Sequence, residues 1–359
     1  MADLPLEGTR VVDFTQNLPG PYATYLLATL GAQVHKIEPP RGDPGRHVRP
    51  FFDFLNRGKT SERIDLREEA GRLRAHELIA HADVVVEGFR PGVMTRLECG
   101  PEVAMSLNKS LVYCSISAFG QDGPRRNDPG HDLNLQALSG ACWLEQDDRG
   151  RPRGAMLPVA DLSTSMVAVS SILAALLTRE KTGEGQVLDI AMADAITQWS
   201  WLWGVGVDLG RPARPDGPLG RFVDGTLLRR INRRKLYALP HYGVFRCRDG
   251  WIAIGIVDEQ KFWRSMCKVL GLRGVGRLRA TARTALGLPL THLVATRLRP
   301  RSTTHWLEAF RRAGVPATEV LTPDEAYEAA IADGRDVVGT ERLSSPFPWP
   351  AGPASPAPS

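Results

Sequence analysis

Residues 10–37 read RVVDFTQNLPGPYATYLLATLGAQVHKI. Arg10 to Phe14 is a continuous run rich in β-branched residues, the pattern of a strand buried on both faces. Asn17-Leu18-Pro19-Gly20-Pro21 breaks it, and proline just inside a helix start is favoured because its missing N–H has no partner there anyway. A helix is predicted over Tyr22 to Leu30 and a second strand over Ala32 to Ile37. Together they make a βαβ unit of about thirty residues. Outward from this unit the alternation continues. A polar helix from Arg67 to Ala80 precedes a strand at Val84 to Val86, a short helix precedes a strand at Leu111 to Ser117, and Gln186 to Ala191 reads as a further strand. Such alternation implies a parallel sheet covered by helices on both faces, an α/β Rossmann-like large domain. The first turn, TQNLPGPYATY, lacks the GxGxxG fingerprint, so Glu38 after the second strand is weak evidence for a ribose contact and a nicotinamide reading loses its main support.

Composition narrows the class. The chain has 359 residues, 43% of them apolar and 24% charged, enough for a large core and for two domains. A net charge of +5, carried mostly by arginine, suits an anionic partner such as phosphate and is too small to argue for nucleic acid. Five scattered cysteines without a CxxC pair fit a reduced, cytoplasmic setting. The N-terminus leads straight into a strand without a signal pattern. The longest apolar run, Met166 to Leu177, is broken by serines and is shorter than a bilayer span, so no membrane is expected.

The remaining chain divides by composition. Residues 1–205 form the large domain. Residues 206–240 hold a Gly/Pro/Arg-rich stretch and a basic run, Arg221 to Lys235, and read as a linker. Residues 241–315 form a smaller α+β domain that opens with a hairpin, Tyr242 to Cys247 and Trp251 to Gly255, about Arg248-Asp249-Gly250. Residues 316–359 form a C-terminal segment with a poorly ordered Pro/Ala/Ser-rich end from Phe347. Before the linker, Trp199, Trp201 and Trp203 crowd one helix, which hints at bulky packing and is explained equally well by core filling.

Two places carry chemistry. His131-Asp132 precede an apolar segment, and Asp161 opens the most apolar helix, predicted over Asp161 to Thr178. Histidine and carboxylate can each move a proton near neutral pH when their surroundings tune them, and a carboxylate can also attack an activated acyl group. The plainer roles are structural. A histidine before a helix is commonly a cap or a surface residue, and Asp161 fits an N-cap over the amides near Thr164. The helix dipole would hold Asp161 anionic, which suits either chemistry. Asp132 orients His131 or caps the helix that follows it.

Several motifs together resemble the class III CoA-transferase family (CaiB/BaiF type), which includes the α-methylacyl-CoA racemases. They are LEGTRVVDFTQNLPGPYATYLLATLGAQVHKIEPPRGDPGR at the start, LNRGKTS (55–61), VVVEGFRPGVMTRLECGP, SAFGQDGP, GHDLNLQALSG, PVADLS and TREKTGEGQVLDIAMADA. In the second domain YGVFRCRDGWIAIGIVDEQKFW and AGVPATEVLTPDEA continue the match. The resemblance implies that residues 316–359 return to the large domain, and an interlocked homodimer whose linkers cross the partner chain. It also implies no metal and no separate cofactor, with coenzyme A arriving as part of an acyl-CoA thioester. Members usually close with one more helix, so a shortened C-terminus is expected here.

By resemblance, His131 matches the histidine of racemase-type members, where transferase-type members more often carry an aromatic residue. Asp161 matches the aspartate that is base in the racemases and nucleophile in the transferases. Asp258 matches a small-domain carboxylate placed near the histidine, with Glu259 as the alternative because the segment is one residue longer than the racemase pattern. Gln16, Asn17 and Leu18 would lie along the pantetheine arm. Arg41 and Arg90 would approach the phosphates and adenine, with Arg57 and Lys59 as further candidates, since guanidinium forks suit phosphate. Two activities follow. The first is racemisation of a 2-methylacyl-CoA by 1,1-proton transfer between His131 and Asp161. The second is CoA transfer between carboxylic acids through an Asp161-CoA thioester.

Overall fold

The computed structural model describes residues 4–145, 147, 151–206 and 238–332. They form two compact units, divided between residues 206 and 207. The first holds a parallel sheet in the order β3-β2-β1-β4-β5-β6. Its strands are β1 (Arg10–Asp13), β2 (Gln33–Glu38), β3 (Thr60–Arg63), β4 (Val84–Glu87), β5 (Val112–Ser117) and β6 (Gln186–Ala191). The central strands β1, β4 and β5 are largely apolar on both sides because both sides are covered. Val11, Val84, Val86, Val112, Cys114 and Ile116 join the core under α1 (Pro19–Thr29) and α8 (Val159–Thr182). Val12, Val85 and Tyr113, one residue out of phase, join the opposite core with Ala75 and Ile79 of α3 (Glu69–Ala80). This is the period-two division of a doubly covered sheet.

The polar edge strand β3 escaped the sequence reading. Its residues, TSER, carry no apolar alternation, and it pairs only with β2. The helix expected from Asp161 to Thr178 is longer, Val159–Thr182. Its length and apolarity suffice to cross a membrane, and half of that stretch is buried inside the domain, where Ala168, Ile172 and Ala175 pack in the core. Gly183 then ends it in the left-handed conformation, the usual glycine stop. The five cysteines are all buried thiols.

Beneath the β1–α1 turn lies a buried ionic network. Asp13, at the end of β1, accepts from Thr24 Oγ1 at 2.6 Å and from the Lys59 ammonium at 3.0 Å. Its other oxygen takes the backbone N–H of Thr15 at 2.9 Å and the Thr15 hydroxyl. Lys59 also donates to Thr24, Asn56 and the carbonyl of Pro21. Lys36 donates to the carbonyl of Thr15 at 2.8 Å and pairs with Asp43 at 2.8 Å. Burial alone would raise the Asp13 carboxyl, but Lys59, Lys36 and the two threonine hydroxyls outweigh it and hold it well below the usual carboxylate range. Burial in turn pulls Lys59 down to about 8, against the attraction of Asp13.

The second unit, described over 238–332, contains the antiparallel sheet β10-β9-β8-β7. Here β7 is Ala238–Leu239, β8 Tyr242–Arg246, β9 Trp251–Gly255 and β10 Ala317–Glu319. The predicted hairpin is β8–β9. Of the segment from 316, expected to return to the large domain, the first part adds β10 to β9 and continues into the helix Pro323–Ala332 within this unit. The basic run Arg221 to Lys235, the linker from 207 to 237 and the C-terminal stretch from 333 lie outside the described residues.

Removing the counter-ion of Asp13 tests the network. Lys59→Met leaves a buried carboxylate without its cation and should destabilise the protein by about 3–5 kcal/mol, while Asp13→Asn combined with Lys59→Met should recover most of that loss. Urea denaturation followed by circular dichroism measures both. A Lys59→Met protein as stable as the wild type would show that the pair carries no such weight.

Candidate active site

The strand order reverses between β1 and β4, with β3 and β2 on one side and β5 and β6 on the other. Open parallel sheets bind ligands outside the carboxyl ends of their strands at such a reversal. A cavity of about 220 Å³ lies there. It is lined by the segments that follow β1 (Thr15 to Asn17, Pro19, Gly20), β4 (Gly88 to Pro91), β5 (Ala118, Arg126, Asp128 to His131) and β6 (Met192), together with Asp161.

The β1–α1 wall is built tightly. Asn17 takes a left-handed φ of 64°, which asparagine tolerates better than most residues. A side-chain carbon on Gly20 would fall 2.3 Å from the Thr15 side chain, so glycine is required for the turn to close over Thr15. Gln16 is half-buried and Asn17 exposed. Leu18 is buried at the N-cap of α1, where its carbonyl accepts from Tyr22, and it does not line the cavity. Ser165 of α8 donates to the carbonyl of Pro19 at 2.7 Å and so ties the start of α8 to this wall.

Asp161 stands in the first turn of α8, not at its cap. The helix opens at Val159, and the capping oxygen comes from Asp132, which accepts from the amides of Ala160 at 2.8 Å and Asp161 at 3.2 Å. The second oxygen of Asp132 accepts from Gln136 at 2.5 Å. Asp132 is therefore committed to the helix of Asp161 and neither orients His131 nor caps the helix after it. His131 itself occupies the N-cap position of α6 (Asp132–Leu138), its backbone N–H held by Asn134 at 3.1 Å, and its exposed ring borders the cavity. The expectation that the helix dipole keeps Asp161 anionic is also corrected. Burial, and after it the charge of Asp132, push the Asp161 carboxyl up to about 7. The amides that would have stabilised its charge already serve Asp132.

The cavity thus gathers Gln16, Asn17, Arg90, His131 and Asp161 from the residues expected in the sequence. Lys59 is corrected: its side chain is 1% exposed and its ammonium is engaged by Asp13, Thr24, Asn56 and Pro21, so no phosphate can reach it. Arg41 is exposed in the turn after β2, and Arg57 sits half-buried with its guanidinium 5.8 Å from the Phe54 ring; neither lines the cavity. Asp258 and Glu259 belong to the second unit, at the start of the helix Gln260–Val269. Asp258 is exposed there and its carbonyl accepts from Arg283 at 3.1 Å, while Glu259 accepts the N–H of Val257 at 2.9 Å. Arg126 and Asp128 were not anticipated. Their signal was position, a charged PRRND run within five residues of His131. Asp128 is paired with Arg125 at 3.0 Å.

The two-carboxylate arrangement predicts a titration. Asp132→Asn keeps an oxygen for the two amides and removes the charge, so the Asp161 midpoint should fall from about 7, though not to the value of an exposed carboxyl, because burial persists. Carbon-13 NMR of the carboxyl groups reads this without reference to activity; an unmoved midpoint would remove Asp132 as a cause.

The match to known proteins covers this geometry and the whole chain. The family model described as CoA-transferase family III matches residues 6–355. The chain is 32% identical over 355 residues to the acetyl-CoA:oxalate CoA-transferase of Acetobacter aceti, covering 93% of this chain and 85% of that one. It is 30% identical over 342 residues to the succinate–glutarate CoA-transferase of Agrobacterium fabrum, covering 90% and 82%. Among solved structures it is similar to a CAIB/BAIF family protein from Brucella suis, with a TM-score of 0.80 at 27% identity over 97% of this chain and 93% of that one. With its reversal-point cavity, its Asp161 helix and a family match from end to end, the chain belongs to CoA-transferase family III and is an enzyme acting on CoA esters.

Proposed function

We propose that this enzyme moves CoA from an acyl-CoA thioester to a free carboxylic acid, with Asp161 as the residue that holds CoA between the two. The observation that carries the reading is the state of the carboxylates around the cavity. Asp128 is paired with Arg125 and Asp132 is bound to amides and Gln136, whereas Asp161 is half-buried without an ion-pair partner among the described residues. A poorly solvated carboxylate, once ionised, is a strong nucleophile. The Asp161 carboxylate attacks the donor thioester carbonyl and expels CoA thiolate, leaving an acyl-aspartyl anhydride. The thiolate then attacks the aspartyl carbonyl, releasing the donor acid and forming an Asp161-CoA thioester. The acceptor carboxylate attacks that thioester to give a second anhydride and thiolate. Attack of the thiolate on the acceptor acyl carbon yields the new acyl-CoA and frees Asp161. The curated relatives named above support this direction, since both are named for CoA transfer to a carboxylic acid.

Racemisation of a 2-methylacyl-CoA is the second reading, favoured by one observation: His131 and Asp161 border the same cavity, as proton exchange between two faces of a carbon requires. It ranks second because the Asp132 carboxylate, which could have oriented His131, is spent on α8. The protein is also proposed to work as a homodimer in the cytoplasm. Leu133, Trp143, Met156, Leu157, Trp199 and Trp201 are apolar and exposed on the first unit, surface that a second copy would cover, and Trp199 and Trp201 therefore do not fill the core.

Two experiments follow. With an acyl-CoA donor, hydroxylamine should inactivate the wild type by trapping the Asp161 acyl intermediate, should spare the enzyme without donor, and should leave nothing to trap in Asp161→Ala. A 2-methylacyl-CoA incubated alone in D₂O should show no α-deuterium. Exchange in the absence of an acceptor acid, lost in His131→Ala, would instead establish the racemase. Separately, Arg90→Ala should raise KM about tenfold for every acyl-CoA alike, the loss of one charge-assisted hydrogen bond to a shared CoA group; an unchanged KM would place CoA away from Arg90.

A further inference from the structure

Near the carboxyl end of the sheet three polar residues share one register. Glu87 on β4 stands beside Ser115 on β5, and Ser115 beside Asp189 on β6. Glu87 is buried, is hydrogen-bonded to Ser115, and accepts the backbone N–H of Phe89 at 2.8 Å. No cation balances it among the groups that act on it; the charge it meets is that of Asp189, which is exposed and accepts the N–H of Gln121 at 2.8 Å. A buried carboxylate beside a like charge is costly to keep, and the chemistry at Asp161 makes no use of this one.

We infer that Glu87 is a positioning residue for CoA: by holding the amide of Phe89 it fixes the segment that carries Arg90 in the conformation that meets the ligand. Gly88 to Pro91 line the cavity, and residues 88–90 belong to neither strand nor helix. Their backbone is held by Glu87 on the upstream side and by the N–H of Val93, which donates to the carbonyl of Arg90 at 3.1 Å, on the downstream side. The inference rests on the assignment of Arg90 to CoA and on neither chemistry, since transfer and racemisation both begin from a bound acyl-CoA. Burial, joined by Asp189, pushes the Glu87 carboxyl up to about 7 against the hydrogen bonds from Ser115 and Phe89. Tyr113 and Cys114 of β5 are themselves pushed up by burial and stay neutral, and Asp13 on β1 is paired with Lys59. Protonated Glu87 keeps an oxygen for the Phe89 amide and carries no charge to solvate. Releasing the segment into water would return the carboxyl towards its ordinary value of 4.5. The braced conformation therefore has its full advantage below that value and loses it as the pH rises to about 7.

Calorimetric titration of CoA into the full-length enzyme tests this without reference to turnover. Glu87→Ala should raise Kd about tenfold, the loss expected of Arg90→Ala, and the double variant should bind no more weakly than Arg90→Ala alone, because one effect acts through the other. Glu87→Gln keeps an oxygen for the amide and should match the wild type at about pH 5.5; towards about pH 7.5 its Kd should climb less than that of the wild type. A wild-type Kd in Glu87→Ala would overturn the inference, as would independent losses that multiply to about a hundredfold in the double variant. If Glu87→Ala does not fold, the Glu87→Gln comparison decides alone, and parallel pH profiles for the two proteins would overturn the inference. An Arg90→Ala protein with unchanged Kd would remove Arg90 from CoA and this inference with it, whichever reaction the enzyme catalyses.

Discussion

The site depends on the pairing of Asp13 with Lys59 beneath the first turn. A charge taken out of water is expensive, and this one is tolerated because two threonine hydroxyls, a backbone amide and a lysine converge on a single carboxylate. The consequence is local rigidity. Thr15 is held from both sides, its amide by Asp13 and its carbonyl by Lys36, and Pro21 is held by Lys59. The residues between them, Gln16 to Gly20, form one wall of the cavity with little freedom to move. The strain of Asn17 at positive φ is supported by the same scaffold.

The chemistry of the opposite wall arises from a competition between two carboxylates for one helix start. Helix N-termini offer unsatisfied amides that attract negative charge. Asp132 takes them and is fixed by Gln136, which in turn is held through the amide of Ala155 at 2.8 Å. Asp161 inherits burial and a like-charged neighbour instead of stabilisation. A carboxyl poised near neutrality in a partly dry cleft is suited to attack or to proton transfer; α8 supplies the reactive group and α6 the charge that helps to tune it.

The division of labour along the sheet follows from the order of its strands. Loops after β1 and β4 meet at the reversal, and loops after β5 and β6 meet beside them. One ligand can therefore be gripped by segments remote in sequence, with Arg90 and Arg126 both lining the same cavity.

The sequence alone determined much of the architecture, for a physical reason that is local. A strand covered on both faces is apolar on both, so the continuous runs in VVD, VVV and VYCSIS announced themselves, and turns rich in Pro and Gly marked the crossovers. The motifs likewise carried the family and placed Asp161, His131 and Arg90 at one cavity. Other features were decided only by the tertiary structure. The polar strand Thr60–Arg63 exists because β2 offers it a hydrogen-bonding edge, and Ala317–Glu319 joined the small sheet because β9 did the same. Lys59 looked like a phosphate ligand until the fold set it against Asp13, 46 residues away. Asp132 caps a helix 28 residues further on, and its charge there adds to the burial that raises the Asp161 carboxyl. Hydrogen bonds and charges act through space, and only the folded chain brings those partners within reach.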